Sequence, residues 1–225
     1  MVDRIWRVDA RRLNAPAAWQ VPPDGCCDLI RTPDGKWFLT NPTVRWQQVP
    51  ILPGEVWSGI RFSPACASAL WQGHIGAAAV EAETLAALAD KILEGGPGAG
   101  TVSSLAHDEV VVLALARMKA ANPPSLASLA HELALSLRSL ERRFLRATGL
   151  TMSTYARIAR LQRAMPTLAG SMPLGQVAVE AGYAHPSHFV RERHGFGAGA
   201  PSAARTRLQS AKNVGFVQAD DVFSP

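Results

Sequence analysis

Residues 125–144, SLASLAHELALSLRSLERRF, hold the pattern that decides the fold of this chain. Apolar residues recur at helical spacing in both halves of the stretch, at Leu126, Leu129, Ala130, Leu140 and Phe144. Between the halves, Leu135 fills the turn. Ser136 is a residue type that caps helices by accepting an amide hydrogen bond. The stretch predicts two short helices joined by a tight turn.

The second of these predicted helices has a polar outer face. With Leu140 and Phe144 pointing inward, the opposite side of the helix carries Arg138, Glu141, Arg142 and Arg146. A DNA major groove admits a helix, and an arginine can pair with guanine or bind phosphate. This face is therefore a candidate for DNA contact. Arg143 is turned about 100° from Arg142 on a helix, so we assign it to a helix–helix seam or a phosphate.

A looser copy of the pattern begins at Pro173, PLGQVAVEAGYAHPSHFVRE. Its turn is predicted at Gly182–Tyr183, and its second helix is predicted to start at Pro186 with His185 in the N-cap position. Its predicted inner positions are Val177, Ala178, Ala181 and Phe189. The chain therefore carries two helix-turn-helix patterns.

Residues 151–168 join the two patterns and are predicted to be helical. At 1.5 Å per residue such a helix is roughly 27 Å long, which is comparable to the roughly 34 Å of one turn of B-DNA. Two units on this spacer could enter successive segments of the major groove. Pro166 predicts a kink or an end of the helix near Ala164.

The charge of the chain is concentrated in its C-terminal part. Residues 1–123 contain 11 Lys+Arg and 12 Asp+Glu, a net charge of −1, and residues 124–225 contain 12 and 6, a net charge of +6. Together they give the net charge of +5 of the whole chain. A basic half suits a polyanion such as DNA, although a solvated arginine surface would give the same count.

Residues 1–62 are predicted to form β-structure, since short apolar runs alternate with turn signals such as Pro33-Asp34-Gly35. The predicted strands are residues 18–21, 26–31, 36–40, 44–49 and 55–62. Helices are predicted at residues 65–71, with Ser63 as N-cap, and at 80–93 and 105–121. Asn122-Pro123-Pro124 ends the last of them.

We therefore expect an α+β protein of two domains. Residues 1–123 would form a small β-rich sensory and dimerisation domain with flanking helices. Residues 124–212 would form an all-α double helix-turn-helix domain, and residues 213–225 a tail that adds a strand or stays mobile. The helices at 80–93 or 105–121 are candidates for a homodimer interface.

Other classes of protein find little support in the sequence. There is no apolar run of membrane-spanning length and no apolar signal core, so we expect a cytoplasmic protein. Cys26, Cys27 and Cys66 lack the spacing of a metal finger, and nothing in the sequence places His74 beside Cys26. We expect no catalytic site, no metal and no cofactor.

Tryptophans crowd the N-terminal half of the chain. Most are expected in the core or in an interface, because aromatic side chains bury a large area. The alternative is that a planar or apolar small molecule stacks on one or two of them. The candidate effector-binding residues are Trp19, Trp37, Trp46 and Trp57.

The C-terminal part resembles the DNA-binding domain of AraC/XylS-type transcription regulators. The resemblance rests on SLASLAHELALSLRSLERRFLRATGLTMSTYARIARLQRA and on GYAHPSHFVRE with Pro201, and it covers about residues 124–206. It implies seven helices with two helix-turn-helix units, the first of which does most of the base reading. The DNA-facing positions it implies are Ser136, Arg138, Ser139, Glu141, Arg142, Arg146, Pro186, Ser187, Val190 and Arg191. VPPDGCCDLI and GIRFSPACASAL resemble the small cupin-like domain often fused ahead of it.

Two residues depart from the family pattern. Ala134 stands where the first turn usually has glycine, which costs about 1 kcal/mol if the position needs a positive φ. Arg193 stands where the second recognition helix usually has an apolar residue, and glycines follow it, so this helix is expected to be short, frayed or a weak reader.

These observations predict a sequence-specific DNA-binding transcription regulator that binds double-stranded DNA and responds to a small molecule held by its N-terminal domain. The alternative is a small-molecule-binding protein or an enzyme that acts through residues 1–95, with the helical half as a partner dock. A partner-binding adaptor that has lost DNA reading is a third possibility.

Overall fold

The computed structural model of the chain describes residues 2–70, 87, 89–90, 107–168, 172–198 and 215–218. Residues 87, 89 and 90 are helical, but most of the helix predicted at 80–93 lies outside the described residues. So do the glycine-rich segment at 94–100, His74 and Pro201. The homodimer predicted through residues 80–93 or 105–121 stays a prediction.

The N-terminal part forms two antiparallel sheets. Its strands are β1 (Val2–Asp9), β2 (Ala17–Val21), β3 (Cys27–Arg31), β4 (Trp37–Leu39), β5 (Gln47–Ile51) and β6 (Val56–Phe62). A seventh strand, β7 (Gly215–Gln218), comes from the tail. The larger sheet has the order β4-β3-β6-β1-β7, and β2 pairs with β5 in the smaller one. The β-rich prediction is confirmed.

Two strands differ from the sequence prediction. Strand β1 was not predicted, yet it lies in the middle of the larger sheet between β6 and β7. Its buried residues include Trp6 and Val8, and the charged residues Arg4, Arg7 and Asp9 interrupt or flank the apolar run. Strand β5 begins at Gln47 rather than at Val44, because Val44 and Trp46 pack against the helical half instead of pairing in a sheet.

The C-terminal part is helical. After a 3₁₀ turn at Pro64–Cys66, which Ser63 caps through the amide of Ala65, the fully described helices are α1 (Glu109–Lys119), α2 (Leu126–Glu132), α3 (Leu137–Thr148), α4 (Met152–Leu168), α5 (Leu174–Glu180) and α6 (Pro186–Gly195). Helix α4 passes through Pro166 and extends to Leu168, so it does not end near Ala164. The other outcome predicted for Pro166, a kink near Ala164, stays a prediction. No described helix is long and apolar enough to cross a membrane.

Each helix-turn-helix unit has its own apolar core. Leu129, Leu140 and Phe144 lie in the first core, and Val177, Ala178 and Phe189 lie in the second. The spacer helix α4 serves both, with Tyr155 in the first core and Ile158 in the second. Helix α1 precedes the boundary predicted at residue 123, and it shares the first core through Val111, Ala114, Leu115 and Met118.

The β-rich part contacts both units. Ala65, in the 3₁₀ turn after β6, is buried in the first core. Trp46 packs against the second core, and its backbone N–H donates to the carbonyl of Phe196 at 2.7 Å. Between these contacts, the side-chain amide of Gln162 on α4 donates to the carbonyl of Pro23. The sheets therefore touch the first unit, the spacer and the second unit.

Candidate nucleic-acid interface

Helix α3 begins and ends at well-defined caps. The Ser136 hydroxyl accepts a hydrogen bond from the Ser139 amide at 3.2 Å, as predicted for an N-cap. At the other end, Gly149 has a φ of 71°, and its N–H donates to the carbonyl of Leu145. These caps fix which residues of the helix face outward.

The two faces of α3 are chemically distinct. Leu140 and Phe144 are fully buried, as predicted. The side chains on the opposite face are exposed: Arg138, Glu141, Arg142 and Arg146. Within the described part of the chain, none of these three arginines forms an ion pair with a carboxylate, so their guanidinium groups are available to an outside anion.

Arg143 has a different role from its neighbour Arg142. It reaches back to Asp108, the N-cap of α1, through two hydrogen bonds of 2.8 Å from Nε and Nη2. These bonds lower the pKa of Asp108. Asp108 also accepts the amides of Val110 and Val111. Arg143 therefore lies in the seam between α1 and α3, one of the two places predicted for it.

The first turn contains a backbone strain that the sequence indicated. Ala134 has a φ of 54°, in the left-handed region that favours glycine. Its N–H donates to the carbonyl of His131 at 3.0 Å, and the N–H of Leu135 donates to the carbonyl of Ala130 at 2.9 Å. The turn keeps its geometry without the glycine, with an alanine in an unfavourable conformation.

The second unit presents a smaller outward surface. Helix α6 starts at Pro186 with His185 at the N-cap, as predicted, although the His185 side chain makes no capping bond. Pro186, Ser187 and Arg191 are exposed and Val190 is half-buried. The helix has 10 residues, so the expectation that it would be short was wrong. That it frays or reads DNA weakly stays a prediction.

The buried position of Arg193 explains why α6 continues past this residue. The side chain is 1% exposed and occupies the inner position, where its guanidinium lies over the rings of Trp46 and Phe189. Burial lowers its pKa. The aromatic rings accept the cation in place of the apolar contacts that an aliphatic residue would make.

Glu192 ties the second unit to the spacer. Its carboxylate is buried, and it accepts a hydrogen bond from the Tyr183 hydroxyl at 3.3 Å. Arg157 and Arg160 of α4 lie 3.5 and 3.8 Å from it. Because both arginines belong to the spacer, this cluster fixes α6 relative to α4.

The four candidate effector tryptophans do not converge. Only Trp19 lines the cavity between the sheets and the spacer helix, where it lies beside Trp6. Trp37 packs in the core of the larger sheet, and Trp46 packs on the second unit. Trp57 donates a hydrogen bond to Glu55.

Within the described residues, no group of three or more His, Cys, Asp or Glu side chains could hold a metal ion. Cys26, Cys27 and Cys66 are all buried. Burial raises the pKa of the Cys26 thiol, which opposes a nucleophilic role at neutral pH.

One protein family and several solved structures are similar to this chain. Residues 129–207 match a protein family described as a helix-turn-helix domain, and this domain is of the AraC type. No curated protein matches the chain.

Several solved structures are similar to the chain. One is a transcriptional regulator from Chromobacterium violaceum with an AraC-type DNA-binding domain, 28% identical over 44% of this chain and 88% of that one, with a TM-score of 0.39. A probable AraC family regulator from Rhodopseudomonas palustris is 22% identical over 45% and 98%, with a TM-score of 0.41. The K231A variant of ToxT from Vibrio cholerae, in its apo form, is 11% identical over 91% of this chain and 93% of that one, also with a TM-score of 0.41.

Proposed function

We propose that this chain, whose residues 129–207 match a helix-turn-helix domain of the AraC type, is a sequence-specific DNA-binding transcription regulator that responds to a small molecule bound by its N-terminal part. The observation that carries the proposal is the outer face of α3. It presents Arg138, Glu141, Arg142 and Arg146 to solvent on a helix whose opposite side is buried.

The chemistry of this face suits base reading. Arginine offers paired donors to the O6 and N7 atoms of guanine, and glutamate accepts a hydrogen bond from the amino group of cytosine. Ser136 and Ser139, at the first turn of the helix, would contact phosphates in this proposal. The excess positive charge of residues 124–225 supports attraction to the duplex.

The second unit adds a smaller contact in this proposal. Ser187, Val190 and Arg191 would meet the duplex, while Arg193 and Glu192 are buried and unavailable to it. Helix α4 has 17 residues, so its axis is about 25 Å long. It would set the distance between two contacts on one side of the DNA.

The proposal is tested by fluorescence anisotropy of the full-length protein with a duplex from the promoter region of its own gene, against a scrambled duplex of equal composition. We expect affinity for the promoter duplex at least about 10³-fold above that for the scrambled one, and a fall in affinity with increasing salt. Equal affinity for the two duplexes, or binding that ignores salt, would count against sequence-specific reading. Turnover by residues 1–123 would support the alternative of an enzyme.

A further inference from the structure

A cavity of about 480 Å³ lies where the β-rich part meets the spacer helix. Strands β1, β2 and β6 supply one wall with Trp6, Trp19 and Arg61. Helix α4 supplies the other with Tyr155, Ile158, Ala159, Gln162 and Arg163. The volume is within the usual range for small-molecule sites, about 300–1,000 Å³.

The cavity has an aromatic side. The rings of Trp6 and Trp19 meet edge to face, with their centroids 5.1 Å apart. Trp6 is held in place because its Nε1–H donates to the buried carboxylate of Asp28 at 2.8 Å. A fixed indole pair of this kind suits a planar or apolar ligand body.

The cavity also has unbalanced positive charge. Two of its cations are already neutralised, since Arg61 is bound by Asp24 and Asp28 and Arg4 lies 3.6 Å from Asp3. The other two, Lys119 and Arg163, form no ion pair with any carboxylate of the described residues. The Nε of Arg163 is buried and has no hydrogen-bond partner there.

The position of the cavity connects it to both helix-turn-helix units. Tyr155 belongs to the core of the first unit and Ile158 to the core of the second, and both also line the cavity. A ligand that presses on these two side chains acts directly on the helix that sets the spacing of the units. It needs no relay through the sheet.

We infer that this cavity binds a small organic anion with a flat apolar body, such as an aromatic carboxylate, with the apolar part on Trp6 and Trp19 and the anionic group between Lys119 and Arg163. Its occupancy adjusts the affinity of the protein for DNA through α4. This last step rests on the proposed DNA-binding function, whereas binding of the anion does not.

The probe is naphthoate, titrated calorimetrically into the full-length protein, with naphthamide as an uncharged analogue of the same shape. We expect one naphthoate per chain, bound about tenfold more tightly than the amide, because charged hydrogen bonds are the stronger ones. Equal affinities for the two probes, or no saturable binding of naphthoate, would overturn the inference.

Variants locate the site. Lys119→Gln and Arg163→Gln are each expected to weaken naphthoate about tenfold and to leave naphthamide unaffected. Trp19→Leu should weaken both probes. Lys36→Gln is the matched control, since Lys36 lies in an exposed turn away from the cavity. Circular dichroism confirms that each variant is folded. Naphthoate affinity unchanged in both charge variants would place the anion elsewhere and overturn the inference.

The coupling to DNA has its own readout. Naphthoate should shift the affinity of the wild-type protein for its promoter duplex, and Lys119→Gln should need about tenfold more naphthoate for the same shift. Anion binding without any shift would overturn the coupling. A protein that binds naphthoate but no specific DNA would instead remove the proposed function, so the two failures are distinguishable.

Discussion

The guanidinium of Arg193 lies over the indole of Trp46, with Cζ 5.6 Å from the ring centroid. Trp46 precedes strand β5, whereas Arg193 is on the last described helix, so this contact joins the β-rich part to the second helix-turn-helix unit. The neighbouring bond from the Trp46 amide to the Phe196 carbonyl reinforces it.

Replacing Arg193 should stabilise the protein. Its Nε and Nη1 are buried and have no hydrogen-bond partner among the described residues, and desolvated charge of this kind is costly. We expect Arg193→Met to raise the free energy of unfolding by about 1–2 kcal/mol, since apolar replacements of buried charges are often stabilising. Chemical denaturation measures the change. Arg191→Met, on the exposed face of the same helix, should stay within about 0.5 kcal/mol. A destabilised Arg193→Met would show that the cation–π contacts outweigh desolvation.

Ala134→Gly should also stabilise the fold. Ala134 has a φ of 54°, and glycine adopts this conformation without strain, so we expect a gain of about 0.5–1 kcal/mol in the free energy of unfolding. Ala116→Gly is the control. Ala116 is exposed in the interior of helix α1, where the same replacement should cost about 0.5–1 kcal/mol. Thermal unfolding of the two variants should therefore shift in opposite directions.

Substitutions of Arg142 and Arg143 should have different effects, the first on DNA binding and the second on the stability of the fold. Arg142→Ala is expected to lose about 1–3 kcal/mol of binding to the promoter duplex and little to a scrambled one. Equal losses on both duplexes would reduce Arg142 to a phosphate contact.

Arg143→Ala should lower the free energy of unfolding instead, because it breaks the pair with Asp108. The pair is partly exposed, so we expect a loss of at most about 1 kcal/mol. Promoter specificity should be unaltered. Arg12→Ala, an exposed arginine in the β-rich part, is the control for both measurements.

The buried carboxylate of Asp24 predicts a pH dependence of stability. Burial raises its pKa from 3.8 to about 6, although Arg61 lies 2.7 Å away. Between pH 4 and 6 the folded protein therefore keeps a proton that the unfolded chain has released. Its stability should fall as the pH rises through this window, by roughly 1.4 kcal/mol per pH unit at most.

Urea titrations at several pH values measure this slope, which Asp24→Asn should flatten. Asp34→Asn is a suitable comparison because the pKa of Asp34 is lowered, to about 2. Asp34 should therefore contribute only a small stability change between pH 4 and 6, and in the opposite direction, because the unfolded chain loses the last of its Asp34 proton just above its usual pKa of 3.8. An unaltered slope in Asp24→Asn would assign the titration to another group.

The local features of the fold could be predicted from the sequence. The N-cap at Ser136 and the inward Leu140 and Phe144 follow from the residues nearest to them in the chain. The positive φ of Ala134 was indicated by the family pattern, which usually has glycine at this position. Helix caps and apolar spacing are short-range signals, which is why the first helix-turn-helix unit was predicted with its correct faces.

Contacts between distant segments could not be predicted in the same way. The interrupted alternation of β1 gave no clear signal, and its central place depends on pairing with β6 and β7. From the sequence, Arg193 at an inner position predicted a weakened helix α6. The sequence did not show that Trp46, which is distant in the chain, covers its guanidinium. The sequence offered Trp19 as one of four equal candidates for effector binding. Only the fold shows that the spacer helix forms a cavity beside it. Each of these depends on tertiary packing, which can override local preference.

The pairing of β7 with β1 gives the helical half an unusual connectivity. Its helices occur in the chain after β6 and before β7, and both strands flank β1 in one sheet. The helical half is therefore an insertion between two strands of one β-sheet, attached to the sheet at both of its ends. A segment tethered at both ends has a high effective concentration at its docking surface, so it re-docks readily after any local opening. Separation of the four residues of β7 from β1 would leave the helical half attached to the sheet at one end only. Its docking would then weaken although none of its side chains had changed.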